Sequence, residues 1–246
     1  MMTGACHGAG PARVLAAIGL CALFGMAQAA DAATLRILPV RIEMAADKQF
    51  CSLTISNDDA TPATVQIRGF GWRKDANGMD QLDPVDGPVV NPSIVSIPGG
   101  ASRLVRCSLP AHTEPREESY RLIIDELPTA TTVPGTVRAL LRISMPIFRA
   151  PPAAAPALRW SAAKVADGRW MLSLFNQGDR HVQVTGVTLR AAAGGEAIAH
   201  VDTGFYLLAG GRIDLPVQPP GGRAVATVQV ETAQGPLAAR PAASGQ

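Results

Sequence analysis

The run Cys51-Ser52-Leu53-Thr54-Ile55-Ser56-Asn57-Asp58-Asp59 decides the reading of the fold. Cys51, Leu53 and Ile55 alternate with Ser52, Thr54 and Ser56. This period of two sets one face of a strand against a core and the other against water. Asn57-Asp58-Asp59 then brings turn chemistry, because short amide and carboxylate side chains bond to nearby backbone. The same unit recurs on both sides. Upstream, residues 34–37 and 40–44 read as one strand broken at Pro39. Downstream, residues 65–70 with Trp72, 94–97, 103–107, 120–124 and 137–145 read as strands. Between them lie a turn-rich stretch with Gly78, Pro84, Gly87 and Pro88, and the Pro98-Gly99-Gly100 turn. Short strands at this spacing, joined by Gly/Pro turns, predict an all-β sandwich.

The pattern ends at Pro151-Pro152-Ala153-Ala154-Ala155-Pro156, a stiff Pro/Ala linker, and then restarts. Residues 170–175, 182–189, 205–208, 213–215 and 225–230 read as strands of a second, smaller sandwich, with Asn176-Gln177-Gly178-Asp179 as a turn. The expected organisation is a signal peptide at 1–29, an N-terminal sandwich at 33–150, a C-terminal sandwich at 156–236, and a disordered tail of small and polar residues at 237–246.

The signal reading rests on three features. Arg13 is positive, residues 14–27 are apolar, and Ala27-Gln28-Ala29 has the small-x-small pattern of a cleavage site. The apolar run falls short of the roughly 20 residues a membrane span needs, so no membrane insertion is expected. Lys and Arg number 22 against 20 Asp and Glu, which leaves no electrostatic case for nucleic acid. Of the four cysteines, Cys6 and Cys21 would leave with the signal. Cys51 and Cys107 remain, and in an oxidising compartment a disulfide between them is favoured. Their separation is neither a metal-ligand spacing nor a CxxC.

No catalytic pattern is found. His112, His181 and His200 are isolated, and neither a G-x-S-x-G nor a P-loop is present. Glu117-Glu118 and Asp125-Glu126 are adjacent acids, and on a strand each pair points to opposite faces. The expectation is therefore a binding protein with no metal and no cofactor.

Four stretches resemble the periplasmic chaperones of chaperone–usher pilus systems, the PapD-like group. They are Ile55-Ser56-Asn57-Asp58 followed by Trp72, the turn and arginine-ended strand from Ile97-Pro98-Gly99-Gly100 to Arg106, Glu118-Ser119-Tyr120-Arg121-Leu122 ending at Glu126-Leu127-Pro128, and Leu141-Arg142-Ile143-Ser144-Met145-Pro146-Ile147-Phe148. The resemblance spans about residues 35 to 235 and implies two immunoglobulin-like domains. It implies a protein that caps a pilus subunit by lending it a strand and passes it to an outer-membrane usher. The donor row would be Val137, Ala139, Leu141, Ile143 and Met145, which share one strand face. Arg41 is the candidate anchor for the subunit's terminal carboxylate. The family's companion lysine would fall near Met145 or Pro146 and is missing, which points to the archaic branch. Glu118 and Arg149 resemble an interdomain salt bridge, with Glu231 as a candidate third member. The competing expectation is an immunoglobulin-like pilus subunit or adhesin.

Overall fold

A computed structural model describes residues 34–75, 77–112, 115–128, 139–165, 169–193, 195–218 and 224–242. The signal reading therefore lies outside the described residues. Among the described residues there is no helix. The first domain contains β1 (Leu35–Leu38), β2 (Ile42–Ala45), β3 (Phe50–Asn57), β4 (Ala63–Lys74), β5 (Asp80–Asp83), β6 (Val89–Asn91), β7 (Ile94–Ile97), β8 (Ser102–Ser108), β9 (Glu118–Glu126) and β10 (Arg142–Ala150). One sheet runs β1-β3-β8-β6. The other runs β2-β10-β9-β4-β5, with β7 also on β4.

The period of two in the sequence produces the core directly. Leu53, Ile55, Val65, Ile67, Val105, Leu122, Ile124, Met145 and Ile147 all point between the two sheets. The segment read as one strand broken at Pro39 belongs to both sheets. β1 pairs antiparallel with β3, and β2 pairs parallel with β10. Pro39 has no N–H to offer a ladder, so it suits the crossover between them. Cys51 stands opposite Cys107 in the β3–β8 ladder and the two form a disulfide, with Cα atoms 4.9 Å apart. A bond closing a loop of this size contributes about 2–4 kcal/mol. The turn at Gly99 and Gly100 needs glycine twice. A Cβ at Gly99 would lie 2.2 Å from the carbonyl oxygen of Ala60, and Gly100 has φ of +69°.

The second domain contains β11 (Leu158–Lys164), β12 (Trp170–Asn176), β13 (Val182–Arg190), β14 (Ala197–Leu207), β15 (Arg212–Val217), β16 (Thr227–Thr232) and β17 (Leu237–Pro241), in the order β14-β13-β16-β17-β11-β12-β15. All seven strands send side chains into one core, so the path folds back on itself as a sandwich. β17 corrects the expectation of a disordered tail at 237–241. It pairs with both β16 and β11 and buries Ala239. Small side chains hid it from a reading based on hydrophobic alternation. The described residues of both sandwiches cluster as a single compact unit.

Candidate functional site

β10 changes character along its length. Residues 147–149 lie between β9 on one side and β2 on the other, and Ala150 pairs with β2. Residues 142–146 pair with β9 alone, and among the described residues no strand covers their other edge. Glu126 N–H donates to the Leu141 carbonyl at 2.8 Å, which marks these two as a directly bonded pair. Antiparallel ladders alternate. Ile143 and Met145 therefore aim their backbone groups at β9, while Arg142, Ser144 and Pro146 aim theirs at the open edge. The missing N–H of Pro146 falls on the open side, where it breaks no ladder bond.

The side chains of the expected donor row divide in the same way. Val137 lies outside the described residues. Ala139 and Leu140 are exposed and Leu141 is half-buried. Ile143 packs partly against the domain's own core, and Met145 is buried within it. β10 begins at Arg142, and residues 139–141 before it are not strand.

Arg41 immediately precedes β2. Ile42 stands opposite Ile147, so Arg41 is level with Pro146 at the end of the open edge. Its Nε lies 2.9 Å from Glu43 Oε1, and its Nη1 donates to Gln183 Oε1 at 3.0 Å. Arg180 Nη2 donates to the other oxygen of Glu43 at 2.7 Å. One carboxylate thus holds two guanidinium groups, one from each sandwich.

Arg149 is fully buried, which only a complete set of partners can sustain. Its Nε donates to Glu118 Oε2 at 2.8 Å and its Nη2 also reaches that oxygen. Further bonds run to the carbonyls of Pro110 at 2.9 Å and Lys48 at 3.3 Å, and to Tyr120 Oη at 3.3 Å. Burial, with the Glu118 charge beside it, pushes the Tyr120 hydroxyl up to about 12. Glu118 and Arg149 thus form an ion pair between β9 and β10 of the first sandwich. Glu231 accepts a bond from Thr188 at 2.8 Å within the second.

The contact between sandwiches uses residues that the sequence did not single out for this role. The Glu117 carboxylate accepts the His181 backbone N–H at 2.9 Å and lies 2.8 Å from His181 Nδ1. The His181 ring stacks on Phe148 with centroids 3.5 Å apart. Trp72, Phe148 and Leu208 make a small core of their own, with Tyr206 packed on it. The Arg121 guanidinium covers Trp72 at 3.6 Å. A cleft of about 570 Å³ runs along this junction, with Trp72, Glu117, Tyr120 and Leu208 among its walls. One signal was available in the sequence. Glu117 and Glu118 had to face opposite ways, so one of them needed a partner outside the Arg149 cluster.

Residues 34–155 match the family model for the pili and flagellar-assembly chaperone, PapD N-terminal domain. The chain belongs to this PapD-like chaperone family. No curated protein matches it. Among solved structures, it is similar to a chain of the CsuC–CsuE chaperone–tip adhesion subunit pre-assembly complex from archaic Csu pili of Acinetobacter baumannii, at 21% identity and a TM-score of 0.68, covering 85% of this chain and 100% of that one. The E. coli chaperone DraB is similar at 20% identity and a TM-score of 0.58, covering 87% and 99%. The Salmonella enterica SafA pilin–SafB chaperone complex matches at 18% identity and a TM-score of 0.56, covering 85% and 97%. At these identities the likeness is one of fold. For this PapD-like chain it extends to both sandwiches.

Proposed function

We propose that this chain is a periplasmic chaperone that captures pilus subunits by strand addition, caps them, and passes them to an outer-membrane usher. The observation that carries this reading is the half-open strand β10. An extended segment laid along residues 142–146 would gain backbone bonds from Arg142 and Ser144 and from the Pro146 carbonyl, as in other cases of strand addition. A segment running parallel to β10 would lie in line with β2 and finish at Arg41. A guanidinium there suits a terminal carboxylate, since charge-assisted bonds are the strong ones. Of the donor row, Leu141 stands half-buried just before β10, Ile143 packs partly on the core, and Met145 stays with the chaperone's own core. Family membership supports the chaperone role, and the pairing of similar folds with a tip adhesion subunit and with a pilin supports the partner. The signal-like amino terminus and the disulfide support an oxidising periplasm.

Co-expression with a pilus subunit in the periplasm, followed by purification on a tag, tests the reading. An equimolar complex is expected. Arg41→Ala and Leu141→Asp should each cut its yield by about tenfold or more, the size expected for losing a charge-assisted bond or for burying an unpaired carboxylate. Melting of the free variants should be little changed. Undiminished yield from either variant removes that residue from the site, and no complex from the wild type removes the function.

A further inference from the structure

We infer that Arg180, in the second sandwich, is the second cation of the carboxylate anchor. The inference rests on the reading of Arg41 as the first. β10 offers no cation beside the open end of its edge. Met145 is core, Pro146 carries no charge, Arg142 is bonded to Asp125, and Arg149 is consumed by Glu118 and two carbonyls. Two guanidiniums instead meet on Glu43. Arg41 takes one oxygen at 2.9 Å and Arg180 the other at 2.7 Å. The cluster holds two positive charges and one negative, so it has room for one more carboxylate.

The donors left over fit that count. Arg41 spends Nε on Glu43 and one Nη1 bond on Gln183, and Arg180 spends Nη2. A guanidinium carries five N–H groups in a planar fork, so each side chain keeps several for a second carboxylate. Both remain reachable, with 28% of the Arg41 and 39% of the Arg180 side chain exposed. Glu43 acts as the spacer that holds two like charges side by side until the subunit's carboxylate arrives. Because the two arginines come from different sandwiches, the anchor is complete only when both are in position. A companion lysine on β10 is then unnecessary.

A double comparison tests this. Binding of a synthetic peptide of alternating valine and threonine is measured by titration, once with a free terminal carboxylate and once as the terminal amide. Wild type should favour the acid by about tenfold or more, as expected for a carboxylate held by charge-assisted bonds. In Arg180→Ala that preference should shrink several-fold while binding of the amide stays as in wild type, and Arg180→Lys should restore part of it. Equal weakening of acid and amide in Arg180→Ala would mean that Arg180 only braces the two sandwiches, and would overturn the inference alone. An unchanged preference in Arg180→Ala beside a lost one in Arg41→Ala would overturn it in the same way. No preference in the wild type would overturn the Arg41 anchor itself, and this inference with it.

Discussion

Residues 142–146 and 147–149 belong to one strand and share one neighbour, β9, but only the second stretch is closed by β2. In the closed half every residue is buried, and even an arginine is taken fully inside because five bonds receive it. In the open half Arg142 and Ser144 are exposed, and their backbone groups face an edge that no strand among the described residues covers. Long unprotected edges invite aggregation. This one is short, carries Arg142, and ends in Pro146, features that discourage indiscriminate pairing. What separates the halves is the reach of β2, not their composition.

The largest expected effect lies in the closed half. Arg149→Ala leaves Glu118 largely buried without its main cation and should lower the unfolding free energy by about 3–5 kcal/mol, read by chemical denaturation. A loss under about 1 kcal/mol, the value of an exposed pair, would mean that the closed half is no more closed than the open one.

A pair of prolines sharpens the comparison within the open half. Ile143→Pro deletes an N–H bonded to β9 and should cost about 1–3 kcal/mol. Ser144→Pro deletes one that faces outward, so stability should fall by less than about 1 kcal/mol while capture of a pilus subunit declines. Equal destabilisation by the two would reverse the assignment of the edge.

The smallest effect concerns charge on the open half. Hydrogen bonding from Arg142, helped by Arg68, holds the Asp125 carboxyl below its ordinary range, against the effect of burial. A carboxyl lowered in the folded state stabilises it above the unfolded pKa of about 4, and that contribution disappears as pH falls through the folded value. Arg142→Ala should therefore move the Asp125 titration, followed by NMR, upward toward the ordinary range. Melting at neutral pH should hardly change, because Arg142 is largely exposed. An unmoved titration would show that Arg68 alone holds the group.

Much of this was legible in the residues. The alternation at 51–55 and 103–107 set Cys51 and Cys107 on inward faces, where register made them opposite. The turns at Asn57 and Asn176 also followed from type. Each asparagine is buried and bonds several backbone groups, Asn57 to Thr61 and Ile97 and Asn176 to Arg180, Leu207 and Leu208. Other features were not legible. β17 is built from small residues, β5 and β6 hide in a turn-rich stretch, and β11 precedes the point where alternation restarts. Trp72, read as part of a strand, lies in β4 and also closes the junction between sandwiches, a role its type did not announce.

By itself, the sequence determined which side of each strand faces a core, where the chain turns, which cysteines can meet, and the family to which the whole belongs. These are local properties, carried by a period of two and by the conformational preferences of Gly, Pro and Asn. Only the tertiary structure decided which edge stays open, that Met145 serves the chaperone's own core, that Glu118 and Arg149 pair within one sandwich, and that Arg41 and Arg180 share Glu43. The reason is that alternation assigns a residue to a face but not to a neighbour. Neighbours depend on strand order and on contacts between residues as far apart in sequence as Glu43 and Arg180.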